Sequence, residues 1–226
     1  MNVRILALVA PLLGALTLAA SARDEEKDKP KPAVYKTPQQ VFDAFIPALN
    51  KRDTKTFVGC LAPEALKRMA GDHARRGVEK RLFAQTGGKD GGANEKLMQR
   101  WKGVFDVLDK HGLTAKATGK IKDDDEQKAR DALAALIKDH AGFLVDYQAA
   151  LDKQEGSKPK VAEVKAKLSG VEIDGDRAKG TVTITNKDVE EKQTFAFVKV
   201  GDSWKLDPFN TPVKDKDKKD SPAKDK

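Results

Sequence analysis

The sequence predicts an α+β fold, with about five helices in the first part of the chain and about four strands of a curved antiparallel sheet after them. Two observations support this prediction. Between residues 37 and 152, apolar residues recur every three or four positions, as on one face of a helix. Between residues 161 and 208 they alternate with polar residues, as in half-buried strands. Because helices and strands are segregated along the chain, the order is typical of α+β proteins.

The first 22 residues have the features of a secretion signal. A short basic start, MNVR, precedes an apolar run, and Ala20-Ser21-Ala22 then supplies the small residues at which signal peptidase cuts. We expect cleavage between Ala22 and Arg23, export to the periplasm or the extracellular space, and no stable membrane insertion afterwards. The alternative is an uncleaved signal anchor, but the run is shorter than the roughly 20 residues of a membrane span. Pro11 and Gly14 also interrupt it.

Charged segments flank a single predicted domain at residues 37–210. Residues 23–36 and 211–226 hold too few apolar residues to build a core, so we expect a disordered leader and a disordered tail rich in lysine and aspartate. The chain carries a formal net charge of +8. Its basic residues are mostly lysines interleaved with acids, without an arginine- and aromatic-rich stripe, so we expect no nucleic-acid partner.

The first helix has the clearest start signal in the domain. Thr37 is suited to the N-cap, Pro38 to the first helical position, and Gln40 completes a capping box. We predict further helices beginning at Asp53 and Pro63, with Gly71 and Gly77 weakening the continuity of the third. The third helix is expected to bury these residues: Leu66, Met69, Leu82 and Phe83.

The last two predicted helices are strongly amphipathic. The fourth has one apolar face, formed by Leu97, Trp101, Val104, Phe105 and Leu108. The fifth follows an acidic run that the helix dipole favours, and it is predicted to continue without a break along one apolar side. That side consists of Leu133, Leu136, Ile137, His140, Phe143, Leu144, Tyr147 and Leu151.

The predicted strands are separated by short turns, of which "DGD" and Gly201-Asp202 are the clearest. Lysines and threonines occupy the outward positions of the first two strands. In the last strand, SWKLD, we expect Trp204 and Leu206 to face the core and Lys205 and Asp207 to face water.

The sequence contains no recognisable catalytic or cofactor motif. The loop TGGKDGGAN lacks the Gly-Lys-Ser/Thr ending of a phosphate-binding loop, so we expect no cofactor. Three histidines and one cysteine do not have the spacing of metal ligands. Cys60 is alone, so it forms no intrachain disulfide, and we interpret it as a small buried side chain.

Two stretches carry a family resemblance. TPQQVFDAFIPALNKRDTKTFVGCLAPE and VEIDGDRAKGTVTITNKDVEEKQTFAFVKVGDSWKLDPF resemble the opening helices and the closing strands of the nuclear-transport-factor-2-like (NTF2-like) superfamily, in particular its exported, lipoprotein-like bacterial branch. An ordinary member has about three helices before its sheet, whereas about five are predicted here. The helices within residues 88–160 are either an insertion or the mark of a different fold. The resemblance implies a cone-shaped sheet that can hold a pocket, whose candidate lining residues are Phe45, His140, Tyr147, Phe197 and Trp204.

Three functions are compatible with these patterns. We expect an exported, non-catalytic domain that binds a small ligand or a protein partner in the cone. The first alternative is a small enzyme that uses acid–base chemistry, with His73, His140, Tyr147 and an unassigned aspartate as candidates. The second alternative is a helical interaction protein, in which residues 94–152 pair with a partner or with another copy of the chain.

Overall fold

The computed structural model describes residues 33–87, 94–119, 121, 125–155, 163–186 and 189–209. The predicted signal peptide with Ala20, Ala22 and Arg23, most of the leader, and the tail lie outside these residues. The described residues form seven helices followed by a four-stranded antiparallel sheet, which confirms the α+β prediction.

The helices are α1 (Pro38–Lys51), α2 (Thr54–Cys60), α3 (Pro63–Thr86), α4 (Glu95–Lys110), α5 (Ala115–Thr118), α6 (Glu126–Leu136) and α7 (His140–Glu155). The strands are β1 (Lys165–Asp174), β2 (Arg177–Asn186), β3 (Val189–Val200) and β4 (Ser203–Leu206). The described helices outnumber the predicted five for two reasons. The short helix α5, a single turn, was not among the predicted helices, and the fifth predicted helix is divided into α6 and α7.

Helix α1 begins as its sequence predicts and covers the inner face of the sheet. Thr37 Oγ1 accepts from the Gln40 amide (3.2 Å), while the Gln40 side chain accepts from the Lys36 amide (2.7 Å). The buried face of α1 then packs on the strands, where the rings of Phe42 and Phe195 meet edge to face, 6.2 Å apart. This layer places the main apolar side of α1 against the sheet.

The sheet has the strand order β1-β2-β3-β4. Its inner face contributes these residues to the core: Leu168, Ala178, Val182, Phe195, Phe197, Trp204 and Leu206. The predicted turn at Gly201-Asp202 is present, with Gly201 at φ 57°, a left-handed conformation that favours glycine. Asp207 is buried, 6% exposed, and its amide donates to the Ala196 carbonyl (2.8 Å), so the expectation that it faces water is wrong.

Two other segments cover the free edge of β4. The Trp204 amide donates to the Tyr35 carbonyl (2.8 Å), and the Tyr35 amide donates to Ser203 Oγ (3.0 Å). Leu61, between α2 and α3, forms a parallel bridge with Leu206. Tyr35 was expected in the disordered leader, but these bonds make it part of the folded domain, which therefore begins before Thr37.

Helix α3 is the centre of the helical layer and contacts α4, α6 and α7. It runs unbroken for 24 residues, although two glycines were expected to weaken it. Both glycines lie where another helix approaches closely. A Cβ on Gly71 would meet the Arg130 backbone oxygen of α6 at 2.7 Å, and one on Gly77 would meet Leu108 of α4 at 3.1 Å. The glycines therefore serve helix packing.

The core face of α3 near its end differs from the prediction. Leu82 and Phe83 are 60% and 55% exposed, so their expected burial is wrong, whereas Arg81 is buried at 5% exposure. The Arg81 guanidinium reaches carbonyl oxygens of Phe105 and Leu113, both at 3.0 Å. The hydrogen bonds of Arg81 to α4 and to the segment after it thus decide which side of the last turns of α3 faces the core.

The break between α6 and α7 lies at residues 137–139, inside the stretch predicted as one helix. Asp139 starts α7, since its Oδ1 accepts from the Gly142 amide (2.9 Å) and its carbonyl accepts from the Phe143 amide (2.9 Å). No helix within the described ranges is long and apolar enough to cross a membrane.

Candidate functional site

Three of the candidate pocket residues lie in the core between α1 and the sheet. Phe45, Phe197 and Trp204 are 6%, 2% and 5% exposed. The Phe45 ring packs on Phe57 at a centroid distance of 5.2 Å. The inner face of the sheet at these positions is therefore occupied by protein side chains.

The other two candidates, His140 and Tyr147, lie in α7 but serve separate contacts. His140 Nε2 donates to the Ala134 carbonyl (3.0 Å) across the break between α6 and α7. Tyr147 is buried between α7 and α3. Two helical turns separate the two residues by about 10 Å along the axis, so α7 does not bring them together.

Tyr147 instead stacks on His73 of α3, with ring centroids 5.2 Å apart and an interplanar angle of 24°. Burial, with Arg76 and Lys80 nearby, lowers the pKa of His73 to about 4. Burial also raises the pKa of Tyr147 to about 12, against the opposing effect of Arg76. At neutral pH both groups are uncharged and far from their pKa values, which is typical of packing rather than of acid–base catalysis.

The structure also pairs a histidine with an aspartate that sequence reasoning did not connect. Asp146 Oδ2 of α7 accepts from His111 Nε2 (2.8 Å) and from Lys110 Nζ (2.7 Å), both at the end of α4. Partial burial acts to raise the pKa of Asp146, but these hydrogen bonds outweigh it and lower the pKa. The trio joins α4 to α7.

Cys60 is fully buried and unbridged, in agreement with its interpretation as a small core side chain. Its Sγ donates to Tyr35 Oη (3.5 Å), and burial raises the pKa of the thiol. Lys205 is half-buried and donates to the Gly59 carbonyl, and desolvation lowers its pKa. These bonds fasten β4 and the Tyr35 segment to α2.

The outer face of the sheet, opposite α1, carries an open depression of about 420 Å³, which we call the lysine trough. It is lined by residues of three strands: Lys165, Ala166, Lys167, Ser169, Thr183, Thr185, Glu190 and Lys192. The signal for it in the sequence is the outward alternation of lysine and threonine, but only strand pairing brings the three strands together.

The register aligns the polar groups of the trough in rows. Thr183 of β2 lies directly between Lys167 of β1 and Lys192 of β3. One strand therefore separates the two lysine backbones by about 10 Å, and both side chains rise from the same face as the threonine hydroxyl. In the next row, Thr185 lies between Lys165 and Glu190.

Within the part of the chain that the structure describes, the trough is lined by three lysines and by one acidic residue, Glu190. Lys165, Lys167 and Lys192 form no ion pair there, whereas Lys179, further along the same face, binds Glu172 at 2.8 Å. Three ammonium groups among hydroxyl donors can hold an oxyanion through charge-assisted hydrogen bonds.

No group of three or more histidine, cysteine, aspartate or glutamate side chains within the described ranges is arranged to hold a metal ion. Comparison of the chain with protein-family models, with curated proteins and with solved structures finds no match.

Proposed function

We propose that this protein is an exported, non-catalytic binding domain whose ligand surface is the lysine trough on the outer face of the sheet. The single observation that supports it most is the in-register row Lys167–Thr183–Lys192, in which two ammonium groups that form no ion pair with any described residue flank a hydroxyl. The ligand class that fits this row is a carboxylated, sulfated or phosphorylated molecule.

Burial on the opposite face favours this location over the interior of a cone. Phe45, Phe197 and Trp204 fill the space between α1 and the sheet, whereas the trough is open.

Export is part of the proposal and rests on the signal-like segment that ends at Ala22. A distant relation to the NTF2-like superfamily is also proposed. It is supported by the packing of α1 on a terminal antiparallel sheet, and by the bridge of Leu61 to β4 after the second helix. In this proposal the helices within residues 88–160, α4–α7, are the inserted part.

Binding is tested with the chain from Arg23 to Lys226 and fluorescently labelled poly-L-glutamate, followed by anisotropy at low and at moderate salt. We expect binding that weakens as salt is added, because exposed charges are screened. The variant K167Q/K192Q should bind between about 2-fold and 30-fold more weakly, if each exposed ion pair contributes ~0.2–1 kcal/mol.

The matched control is K96Q/K116Q, which removes the same charge from exposed positions on α4 and α5. It should bind within about twofold of the unmodified chain, because Lys96 and Lys116 lie outside the trough. Equal losses in both variants would show that net charge alone attracts the polymer. No binding to poly-L-glutamate, dextran sulfate or polyphosphate would contradict the proposed ligand class.

A further inference from the structure

The two outer strands of the sheet differ in how their edges are covered. The edge of β4 is bonded to Tyr35 and bridged by Leu61. Strand β1 is at the other end of the sheet, and among the described residues it pairs only with β2. Within the described part of the chain, the outer edge of β1 thus presents backbone N–H and C=O groups with no partner strand, which is a template for pairing with another strand.

Charge is distributed along β1 in two halves. Lys165 and Lys167 occupy the first half, and Glu172 and Asp174 occupy the second. A bulge at Gly170 shifts by one residue the alternation of side chains between the two faces of β1. As a result, all four charged residues pair with β2 residues that share one face: Thr185, Thr183, Lys179 and Arg177. All four side chains therefore lie on the outer face of the sheet.

We propose that β1 pairs antiparallel with β1 of a second copy of this chain, about a two-fold axis between Ser169 and Gly170. In this register Lys167 lies opposite Glu172 of the partner subunit, and Lys165 lies opposite Asp174 of the partner subunit. Because the interface is isologous, each of these opposite-charge pairs forms twice. The result is a continuous eight-stranded sheet.

The inner face of the same register is apolar. It sets Leu168 opposite Val171 of the partner subunit, and Ala166 opposite Ile173 of the partner subunit. Ile173 is 59% exposed in the single chain, so pairing would cover part of a large apolar side chain. One register therefore satisfies both faces, and it does so because the bulge lies between the two halves.

Self-pairing within one half of β1 is disfavoured. A two-fold axis at Lys167 sets this residue opposite Lys167 of the partner subunit. An axis at Ile173 sets Glu172 opposite Asp174 of the partner subunit. Like charges directly opposite each other destabilise an antiparallel pair. Lysines and bulges often protect an edge strand from pairing. The acidic residues in phase with the lysines distinguish β1 from such a protected edge.

Pairing would also extend charge rows that already exist in each chain. Glu172 binds Lys179 of β2 at 2.8 Å, and Lys167 of the partner subunit would lie on its other side. Asp174, opposite Arg177 in β2, would likewise lie between Arg177 and Lys165 of the partner subunit. Each carboxylate is then flanked by two cations, which favours this register over one that leaves acids adjacent.

The test is sedimentation velocity of the chain from Arg23 to Lys226, at low salt, over about 1 to 200 μM. We expect a concentration-dependent rise toward twice the mass of the chain. K167E and E172K should each weaken association at least about tenfold, because each sets two like-charge pairs across the interface. The double variant K167E/E172K should restore association, since it reverses both partners.

Control variants distinguish pairing through β1 from association driven by charge elsewhere on the surface. K96E changes the same charge on exposed α4 and should associate like the unmodified chain. Circular dichroism should show that every variant keeps its fold. A monomer at all concentrations would overturn the proposal, as would a dimer that responds equally to K96E and K167E. K192Q, on β3, should weaken ligand binding but not association, so failure of one proposal is distinguishable from failure of the other.

Discussion

Substitution of Arg81 by methionine should strongly destabilise the protein, although the position lies outside any proposed binding surface. The Arg81 side chain is buried, and it donates to the Phe105 and Leu113 carbonyls at 3.0 Å each. Its Nη1 also lies 3.1 Å from Asp109 Oδ1. Methionine can occupy much of the same space, but it leaves both carbonyls without their charged donor.

The magnitude follows from these contacts. A hydrogen bond to a charged group contributes about 1.5–3 kcal/mol, so the two carbonyl contacts together contribute roughly 3–6 kcal/mol. Release of the buried guanidinium from its desolvation cost offsets part of this loss. Asp109 is more than half exposed, so its ion pair adds little. We expect a net loss of ~2–4 kcal/mol, which lowers Tm by about 4–16 °C in a domain of this size.

The assay is urea unfolding followed by circular dichroism and by tryptophan fluorescence, since Trp101 and Trp204 report on the helical layer and the sheet respectively. Arg76→Met, at an exposed position of the same helix, should change the free energy of unfolding by less than about 0.5 kcal/mol. Equal stability of R81M and the unmodified chain would refute the reasoning, because the two carbonyls would then not depend on Arg81.

Two further predictions concern helix packing and pH. Gly59→Ala in α2 should raise stability by about 0.4–1 kcal/mol, since nothing lies within 4 Å of the new Cβ. In contrast, Gly71→Ala should lower stability by about 1–2 kcal/mol, because the new Cβ meets the Arg130 backbone oxygen at 2.7 Å. Thermal unfolding measures both variants, and a change of stability in the same direction for both would contradict this prediction. The folded-state pKa of Asp146 is below its unfolded value, so its contribution is present above about pH 4 and is lost as pH falls through the folded pKa. The stability difference between the unmodified chain and Asp146→Asn should therefore narrow from pH 5 to pH 3 in urea unfolding, and a difference independent of pH would argue against the hydrogen bonds with α4.

Helix α1 and the last hairpin were predictable because their signals are local. The N-cap of Thr37 and the turn at Gly201 each depend on residues within four positions of one another. The inward side of Trp204 also follows from alternation alone, and the structure confirms it at 5% exposure. Such features need no knowledge of which segment packs against which.

The register of α3 and the break after α6 were not predictable in the same way. An apolar count favours Leu82 and Phe83 for the core, yet Arg81 is inside because carbonyls from α4 and the segment after it, 24 and 32 residues away in sequence, accept its hydrogen bonds. Likewise, the apolar residues of α6 and α7 have the spacing of one continuous helix in the sequence. The helix is nevertheless interrupted, because the Asp139 side chain caps the start of α7.

The candidate site divides in the same manner. Outward lysines and threonines on alternating strands are visible in the sequence, but the row Lys167–Thr183–Lys192 exists only because β1 and β3 pair with β2 in one register. The pocket residues that the family resemblance implied could not be separated from core residues by pattern, since a pocket wall and a core face have the same apolar alternation.

By itself, the sequence determined the α+β class, the order of helices before strands, the cap of α1 and the turns of the sheet. These depend on propensity, periodicity and hydrogen bonds between near neighbours. Only the tertiary structure decided that Arg81 is buried, that Gly71 and Gly77 are close helix contacts, and that the lysines of two strands, β1 and β3, line one trough with the threonines of β2 between them. Those outcomes depend on groups far apart in the chain, whose positions are set when the layers pack together.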